Sequence, residues 1–181
     1  MAKLFVISGP TGAGLSEIIG MVLDARDDIG NVIPVTARKK KAGEQNGVGF
    51  WFYDLDEWKA MKKAGGLLET TALAGNDYGT SRRLVREQLD AGKNVVLNLE
   101  CARAKQLKAN MPEAVCVYME PSTEELLRAR YEAAARSRFE VAARMDRAAQ
   151  EKEKAGFCDC TIFTDDAEQA AEWLNTLIDR A

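Results

Sequence analysis

The chain has 181 residues and a formal net charge of −3. Hydrophobic residues make up 46% and charged residues 29%, so the chain can build a folded core and is not disordered by composition. Histidine is absent, which excludes Ser-His-Asp and Cys-His catalysis and any histidine-ligated metal. The acidic balance argues against a nucleic-acid partner.

No stretch approaches the roughly 18 apolar residues of a membrane span, and the opening apolar run, residues 4–7, is too short for a signal peptide. We therefore expect a soluble cytoplasmic protein with no membrane partner. The spacings of the four cysteines match no zinc pattern, so we interpret them as core or surface thiols. They are Cys101, Cys116, Cys158 and Cys160.

Strand-like and helix-like segments alternate along the chain. In chain order, the pattern predicts a buried strand at 3–8, a helix at 16–28, strands at 31–36 and 48–53, a helix at 54–63, a strand at 67–73, a helix at 81–91, strands at 94–99 and 114–119 with a helix between them, helical sequence from 122 to about 154, a strand at 159–164 and a helix at 166–180. This alternation predicts a doubly wound α/β fold with a parallel sheet. The polar and β-rich segment 38–80 interrupts it and is interpreted as an inserted lobe.

Three local signals refine these elements. Pro34 argues for an edge position of the strand at 31–36. Asp54 is a predicted helix N-cap with Glu57 three residues on, and Ser122 is another, with Glu125 three residues on.

The strongest motif is the glycine-rich run between the first strand and the first helix, Gly9-Pro10-Thr11-Gly12-Ala13-Gly14-Leu15-Ser16. A loop in this position directs successive N–H groups and the positive end of a helix toward a phosphate. The Ser16 hydroxyl is a candidate Mg²⁺ ligand.

Leu15 stands where this motif has a lysine that reaches the β- and γ-phosphates. Leucine cannot neutralise charge or donate a hydrogen bond. The loss of one such donor predicts a fall in phosphoryl transfer on the order of 10²–10³.

Six segments in order resemble motifs of guanylate kinase, over nearly the whole chain. They are the glycine loop, which resembles that family's Gly-Pro-Ser-Gly-Ala-Gly-Lys-Ser, and the segments 36–47, 75–80, 97–100, 139–145 and 162–166. The resemblance implies an ATP-dependent kinase that converts GMP to GDP with Mg²⁺, on a P-loop nucleoside-monophosphate-kinase fold. It implies a single domain, with a core at 1–32, 84–121 and 144–181, a GMP-binding lobe at about 33–83 and a helical lid at about 122–143.

The resemblance also assigns roles to individual positions. Arg38, Lys41 and Tyr78 correspond to residues that hold the GMP phosphate, and Glu69, Thr80 and Glu100 to residues that read the guanine edge. Arg144 corresponds to an arginine that stabilises the transferring phosphoryl group, and Arg38 is counted with it as catalytic. The residues assigned to the ATP phosphates are Gly9, Gly12, Ala13, Gly14, Leu15 and Ser16.

The departures from the family pattern concentrate on the ATP and transfer side. Besides Leu15, Asn98 replaces an aspartate and Thr164 replaces an asparagine that contacts adenine. The lid segment Arg128-Ala129-Arg130-Tyr131 keeps the arginine spacing and loses both glycines, so Arg130, Arg136 or Arg138 could serve as the lid arginine.

The positions assigned to GMP binding depart less from the family pattern. Lys41 replaces arginine, Phe50 replaces tyrosine and Glu100 replaces aspartate. We therefore hypothesise a protein that binds GMP or a related purine nucleotide and transfers phosphate poorly or not at all.

Two alternatives stay open. An active kinase would need a relocated charge from Lys39, Lys40, Arg130 or Arg136. A catalytically inactive interaction module would leave room for a protein partner at the aromatic residues 50–52, which otherwise form the core of the inserted lobe.

Overall fold

The computed structural model describes residues 1–135 and 137–181. The strands are β1 (Leu4–Ser8), β2 (Ile29–Gly30), β3 (Val35–Thr36), β4 (Trp51–Phe52), β5 (Leu67–Leu73), β6 (Asn76–Ser81), β7 (Asn94–Asn98), β8 (Val115–Glu120) and β9 (Cys160–Phe163). The helices are α1 (Leu15–Asp24), α2 (Leu55–Lys63), α3 (Arg82–Asp90), α4 (Cys101–Asn110), α5 (Glu124–Ala134), α6 (Arg138–Lys154) and α7 (Ala167–Arg180), with a 3₁₀ turn at Ala155–Phe157.

The main sheet has five parallel strands in the order β2-β7-β1-β8-β9. Every residue of β1 is buried, because helices cover both faces of the sheet. Phe5 and Ile7 pack into one apolar cluster with α1 and α7, whereas Leu4 and Val6 pack into a second with α3 and α4. The predicted doubly wound α/β fold is confirmed.

A second sheet contains β4, β3, β6 and β5 in that order. The pair β3–β4 is parallel, and the other two pairs are antiparallel. Trp58 of α2 is buried against Val35 and Leu67 of this sheet. The predicted capping box of α2 is present, since the Asp54 carboxylate accepts from the Glu57 N–H and the Glu57 side chain accepts from the Asp54 N–H.

The strand predicted at 31–36 is wrong as one element. β2 ends at Gly30 and pairs with β7 in the main sheet, and β3 begins at Val35 in the second sheet. The edge position inferred from Pro34 is also wrong, because β3 lies between β4 and β6. Pro34 precedes β3 and its carbonyl accepts from the Trp51 N–H, so its missing N–H breaks no ladder bond.

Three other boundaries differ from the prediction. β4 covers only two residues of the segment 48–53, and α1 ends at Asp24 rather than at residue 28. Thr123, not Ser122, caps α5; the N–H and hydroxyl of Ser122 instead donate to the Asp165 carboxylate, 43 residues away. The helical sequence from 122 to 154 is two helices.

None of the helices in the described residues combines the length and apolar character that crossing a bilayer requires.

Candidate functional site

The glycine loop connects β1 to α1 and carries little side-chain bulk where it turns. Gly9 is required by a close approach, because a Cβ there would lie 2.0 Å from the carbonyl oxygen of Met119 in β8. Gly12 and Gly14 have φ values of 83° and 84°, in the left-handed region that glycine adopts without steric cost. The N-cap residue of α1 is Gly14, which makes no side-chain hydrogen bond to the first N–H groups of the helix. These groups and the loop form a cradle suited to an anion.

Leu15, at the start of α1, packs into the apolar core. Its side chain is 8% exposed and belongs to the apolar cluster that contains Phe5 and Met119. Its Cδ1 lies 3.2 Å from the position of a Cβ on Gly9, which places it under the loop. Position 15 therefore supplies packing to the core and no charge to the loop.

The polar residues around the loop offer oxygen atoms. Ser16, Asn98 and Glu100 line a 450 Å³ cavity together with the glycines. Hydroxyl, amide and carboxylate oxygens are ligands that Mg²⁺ accepts, and Mg²⁺ usually completes its shell with phosphate and water. Within 1–135 and 137–181 no group of three histidine, cysteine or acidic residues could hold a metal by itself. The donors therefore fit a magnesium ion that arrives with phosphates.

The α5–α6 helices reach over the loop. Tyr131 of α5 is 2% exposed, and its ring would lie 2.8 Å from a Cβ on Gly12. The Arg144 guanidinium lies 5.7 Å from the centroid of the Tyr131 ring and donates to Glu140 at 2.6 Å. Arg144, Tyr131 and Glu100 line a 380 Å³ cavity with the start of the loop. Burial raises the pKa of Tyr131. Arg144, which is assigned to phosphoryl transfer, thus lies near the loop.

Among the candidate replacement cations that the structure describes, Arg130 is the one beside the loop. Its Nη1 lies 4.0 Å from the position of a Cβ on Gly14, and its Nη2 donates to the Thr164 carbonyl. Lys39 and Lys40 line a different cavity, in the second sheet. Arg138 faces a third cavity between α5 and α6, and Arg136 lies outside the described residues.

Arg38 is held by a carboxylate and two aromatic rings. Its Nη1 and Nη2 each donate to Glu44 at 2.8 Å, and the Lys41 N–H donates to the same carboxylate at 2.6 Å. The Arg38 fork and the Lys41 N–H lower the pKa of Glu44 to about 2. The guanidinium of Arg38 lies 5.5 Å from the Phe50 ring centroid and 5.1 Å from that of Phe52.

Tyr78 lies beside the rings that flank Arg38. Its ring centroid is 5.7 Å from that of Phe50, and, after Glu44, it contributes to raising the pKa of Arg38. Arg38 and Lys41 line an 840 Å³ cavity. The structure therefore brings together the three residues assigned to the GMP phosphate. Of the three aromatics at 50–52, Trp51 packs against the core of the second sheet, whereas the other two flank Arg38.

Glu69 and Thr80 are also brought together. Both are buried, and the Thr80 hydroxyl donates to Glu69 Oε1 at 2.7 Å. Glu100 lies elsewhere: it precedes α4 as its N-cap residue, is exposed and lines the cavity of the glycine loop.

Arg103 is the residue that the sequence analysis missed. Its Nε donates to Glu69 Oε2 at 2.7 Å and its Nη2 to Glu69 Oε1 at 2.9 Å. One sequence signal points to it. Arg103 falls in the first turn of α4, where the helix dipole disfavours a cation unless a carboxylate compensates.

Comparisons with known proteins agree with this geometry. The family model described as guanylate kinase matches residues 1–181. A guanylate kinase of Frankia casuarinae is 35% identical over 176 residues, covering 97% of this chain and 96% of the relative. One of a Synechococcus strain is 34% identical over 175 residues, covering 96% and 94%.

Solved structures show the same fold. The crystal structure of guanylate kinase from Anaplasma phagocytophilum superposes with a TM-score of 0.68 at 21% identity, covering 99% of this chain and 85% of that one. An unliganded sugar kinase from Janibacter gives a TM-score of 0.51 at 16% identity, covering 99% and 95%. With a family model that spans every residue and relatives at about one-third identity, the chain belongs to the guanylate kinase family.

Proposed function

We propose that this chain binds GMP or a closely related purine nucleotide and carries out the family reaction, ATP and GMP to ADP and GDP, slowly or not at all. The observation that carries the proposal is the burial of Leu15 in the core beneath the glycine loop. A leucine packed there carries no charge and no hydrogen-bond donor, so the positive charge that would stabilise the transferring group is missing at position 15.

The binding half of the proposal rests on the second sheet. Arg38, Lys41 and Tyr78 form the phosphate-binding group, and the segment 33–83 is the lobe that carries them. Arg38 is already ordered by Glu44 and by two rings, so little side-chain entropy is lost when a phosphate binds. Lys41 supplies a point charge rather than a fork.

The transfer half rests on the loop and on the lid at 122–143. The N–H groups of Gly12, Gly14 and Ser16 would hold ATP phosphates, and the oxygens of Ser16 and Glu100 suit Mg²⁺. ATP would supply the phosphoryl group, and a magnesium ion bound with it would neutralise part of the negative charge on the phosphates. Arg144 would contribute the remaining positive charge from the lid side, through the cavity that it shares with the loop.

Formation of GDP from GMP, ATP and Mg²⁺, measured by chromatography, tests the proposal. Wild type is compared with Leu15→Lys and with Leu15→Met, which keeps the volume and adds no charge. We expect Leu15→Lys to turn over about 100-fold faster than Leu15→Met, by analogy with the restoration of a lost charge-stabilising donor. A host kinase carried through purification would give the same background in all three preparations.

Wild-type turnover typical of kinases, about 1–100 per second, would contradict the proposal. So would a Leu15→Lys variant that stays folded, binds nucleotide and gains no rate over Leu15→Met. Thermal unfolding of both variants is measured first, because the lysine must leave the apolar cluster to reach the loop.

One observation favours a second candidate function, an active kinase with a relocated charge. Arg130 lies beside Gly14, and its guanidinium is bound through the main-chain carbonyl of Thr164 rather than through a carboxylate. This candidate predicts that Arg130→Ala abolishes GDP formation, whereas Arg86→Ala, which removes an exposed pair with Glu113, does not. Equal rates in the two variants would eliminate it.

A further inference from the structure

The carboxylate of Glu69 has little capacity left for a ligand. Oε1 accepts from the Thr80 hydroxyl and from Arg103 Nη2, and Oε2 accepts from Arg103 Nε. An ionised carboxylate offers about four acceptor positions, two on each oxygen. Both positions on Oε1 are therefore taken, and Glu69 has no solvent-exposed surface through which a further donor could approach.

Arg103 is held on Glu69 by the helix that carries it. Residues 103, 106 and 110 lie on one face of α4, at the spacing of neighbouring turns. Gln106 accepts from the Thr70 N–H at 2.9 Å, and Asn110 donates to the Leu68 carbonyl at 2.9 Å. This face of α4 is thus hydrogen-bonded to three consecutive residues of β5, which are Leu68, Glu69 and Thr70. The Arg103 side chain is only 24% exposed.

The guanidinium and the guanine base present the same donors to a carboxylate. Arginine offers two parallel N–H groups in a planar fork. Guanine offers N1–H and one N–H of its 2-amino group, also side by side. Because both need the same two oxygens, a base cannot be read by Glu69 while Arg103 is bound to it.

We propose that Arg103 determines base specificity in this chain by occupying the carboxylate of Glu69 in place of the guanine edge. The inference rests on the proposed function, binding of a purine mononucleotide. It changes the ligand class from guanine nucleotides to purine nucleotides with or without the 2-amino group. The phosphate-binding residues around Arg38 still bind the nucleotide, but the 2-amino group of guanine finds no acceptor at Glu69.

Comparison of GMP with IMP tests this inference, because IMP differs only in lacking the 2-amino group. Dissociation constants of both are measured by titration calorimetry for wild type, Arg103→Ala and Gln106→Ala. For wild type we expect the two constants to agree within about threefold. In Arg103→Ala, where Glu69 is free, GMP should bind at least about 10-fold more tightly than IMP, the value of a hydrogen bond to a charged group.

Gln106→Ala is the matched control. It removes another contact between the same face of α4 and β5 but leaves the Arg103 fork in place, so its GMP-to-IMP ratio should equal that of wild type. A GMP preference in Gln106→Ala would assign the effect to loosening of β5 and overturn the inference. Arg103→Lys, which keeps the charge without the fork, should give an intermediate ratio and replaces Arg103→Ala if that variant does not fold.

A wild-type preference for GMP above about 10-fold would overturn the inference and leave the proposed function standing. A folded Arg103→Ala that binds IMP as wild type does, with no gain in GMP preference, would do the same. If neither nucleotide binds wild type or any variant, the proposed function fails, and the inference fails with it.

Discussion

The ring of Tyr131 lies against Gly12, so an aromatic side chain of α5 covers the glycine loop. A methyl group on Gly12 would come within 2.8 Å of a ring atom. The Arg144 guanidinium lies over the same ring, at 5.7 Å from its centroid. One tyrosine therefore contacts both the glycine loop and the arginine assigned to phosphoryl transfer.

This contact predicts a larger cost for Gly12→Ala than for Gly92→Ala. Both glycines have positive φ, 83° and 79°, but a Cβ added to Gly92 would point into open space. Gly92→Ala should lose about 1 kcal/mol of unfolding free energy from backbone strain alone. Gly12→Ala should lose an additional 1–3 kcal/mol or so through displacement of the Tyr131 ring. Urea denaturation measures both losses, and equal losses would mean that the ring moves aside at no cost.

Arg38→Ala should weaken GMP and IMP binding by the same factor. The guanidinium contacts the phosphate in the proposed complex and has no part in reading the base. Loss of a charge-assisted hydrogen bond predicts a fall of about 10- to 100-fold for each nucleotide. Arg86→Ala, at an exposed pair, should leave both affinities unchanged. A loss confined to one nucleotide would place Arg38 at the base instead.

The pair between Arg26 and Asp28 predicts acid sensitivity. Hydrogen bonds from Arg26 at 2.7 and 2.8 Å lower the pKa of Asp28 from its ordinary 3.8 to about 2. The folded pKa is below the unfolded one, so the stabilisation is complete above about pH 4 and is lost as the pH falls through 2. Since the Asp28 side chain is 45% exposed, solvent screening limits the loss to less than about 1 kcal/mol.

Urea denaturation of wild type and Asp28→Asn at pH 5 and pH 2.5 measures this loss. Wild type should be the more stable protein at pH 5, and its advantage should shrink at pH 2.5. An advantage that stays constant across this range would show that the charge on Asp28 contributes nothing to folding.

The buried thiols should be unreactive in the native protein. Burial raises the pKa of Cys101 to about 12 and of Cys116 to about 11, so both are protonated at neutral pH. Because the thiolate is the reacting species, iodoacetamide at pH 8 should modify them only after unfolding. Peptide mapping by mass spectrometry follows each cysteine. Modification of Cys101 in the folded state at the rate of a free thiol would contradict its burial.

Local sequence was sufficient for the alternation of strands and helices and for the glycine loop. Apolar runs of strand length, a glycine-rich turn and the capping box at Asp54 act over a few residues, so their outcome can be derived from spacing alone. Sequence was misleading at 31–36, because a run of strand-forming residues does not reveal that the chain leaves one sheet and enters another. The crossing falls at 31–34 because β2 at 29–30 pairs with β7 and β3 at 35–36 pairs with β4 and β6.

The sequence by itself determined the class of this protein and the absence of a lysine from its loop. The tertiary structure alone decided where the remaining charges act. Glu69 and Arg103 are 34 residues apart and meet only because α4 packs along β5, and Arg130 reaches Gly14 only because α5 crosses the loop. Ion pairs between distant segments carry no periodic or local signature, so their partners are specified by packing and not by spacing in the chain.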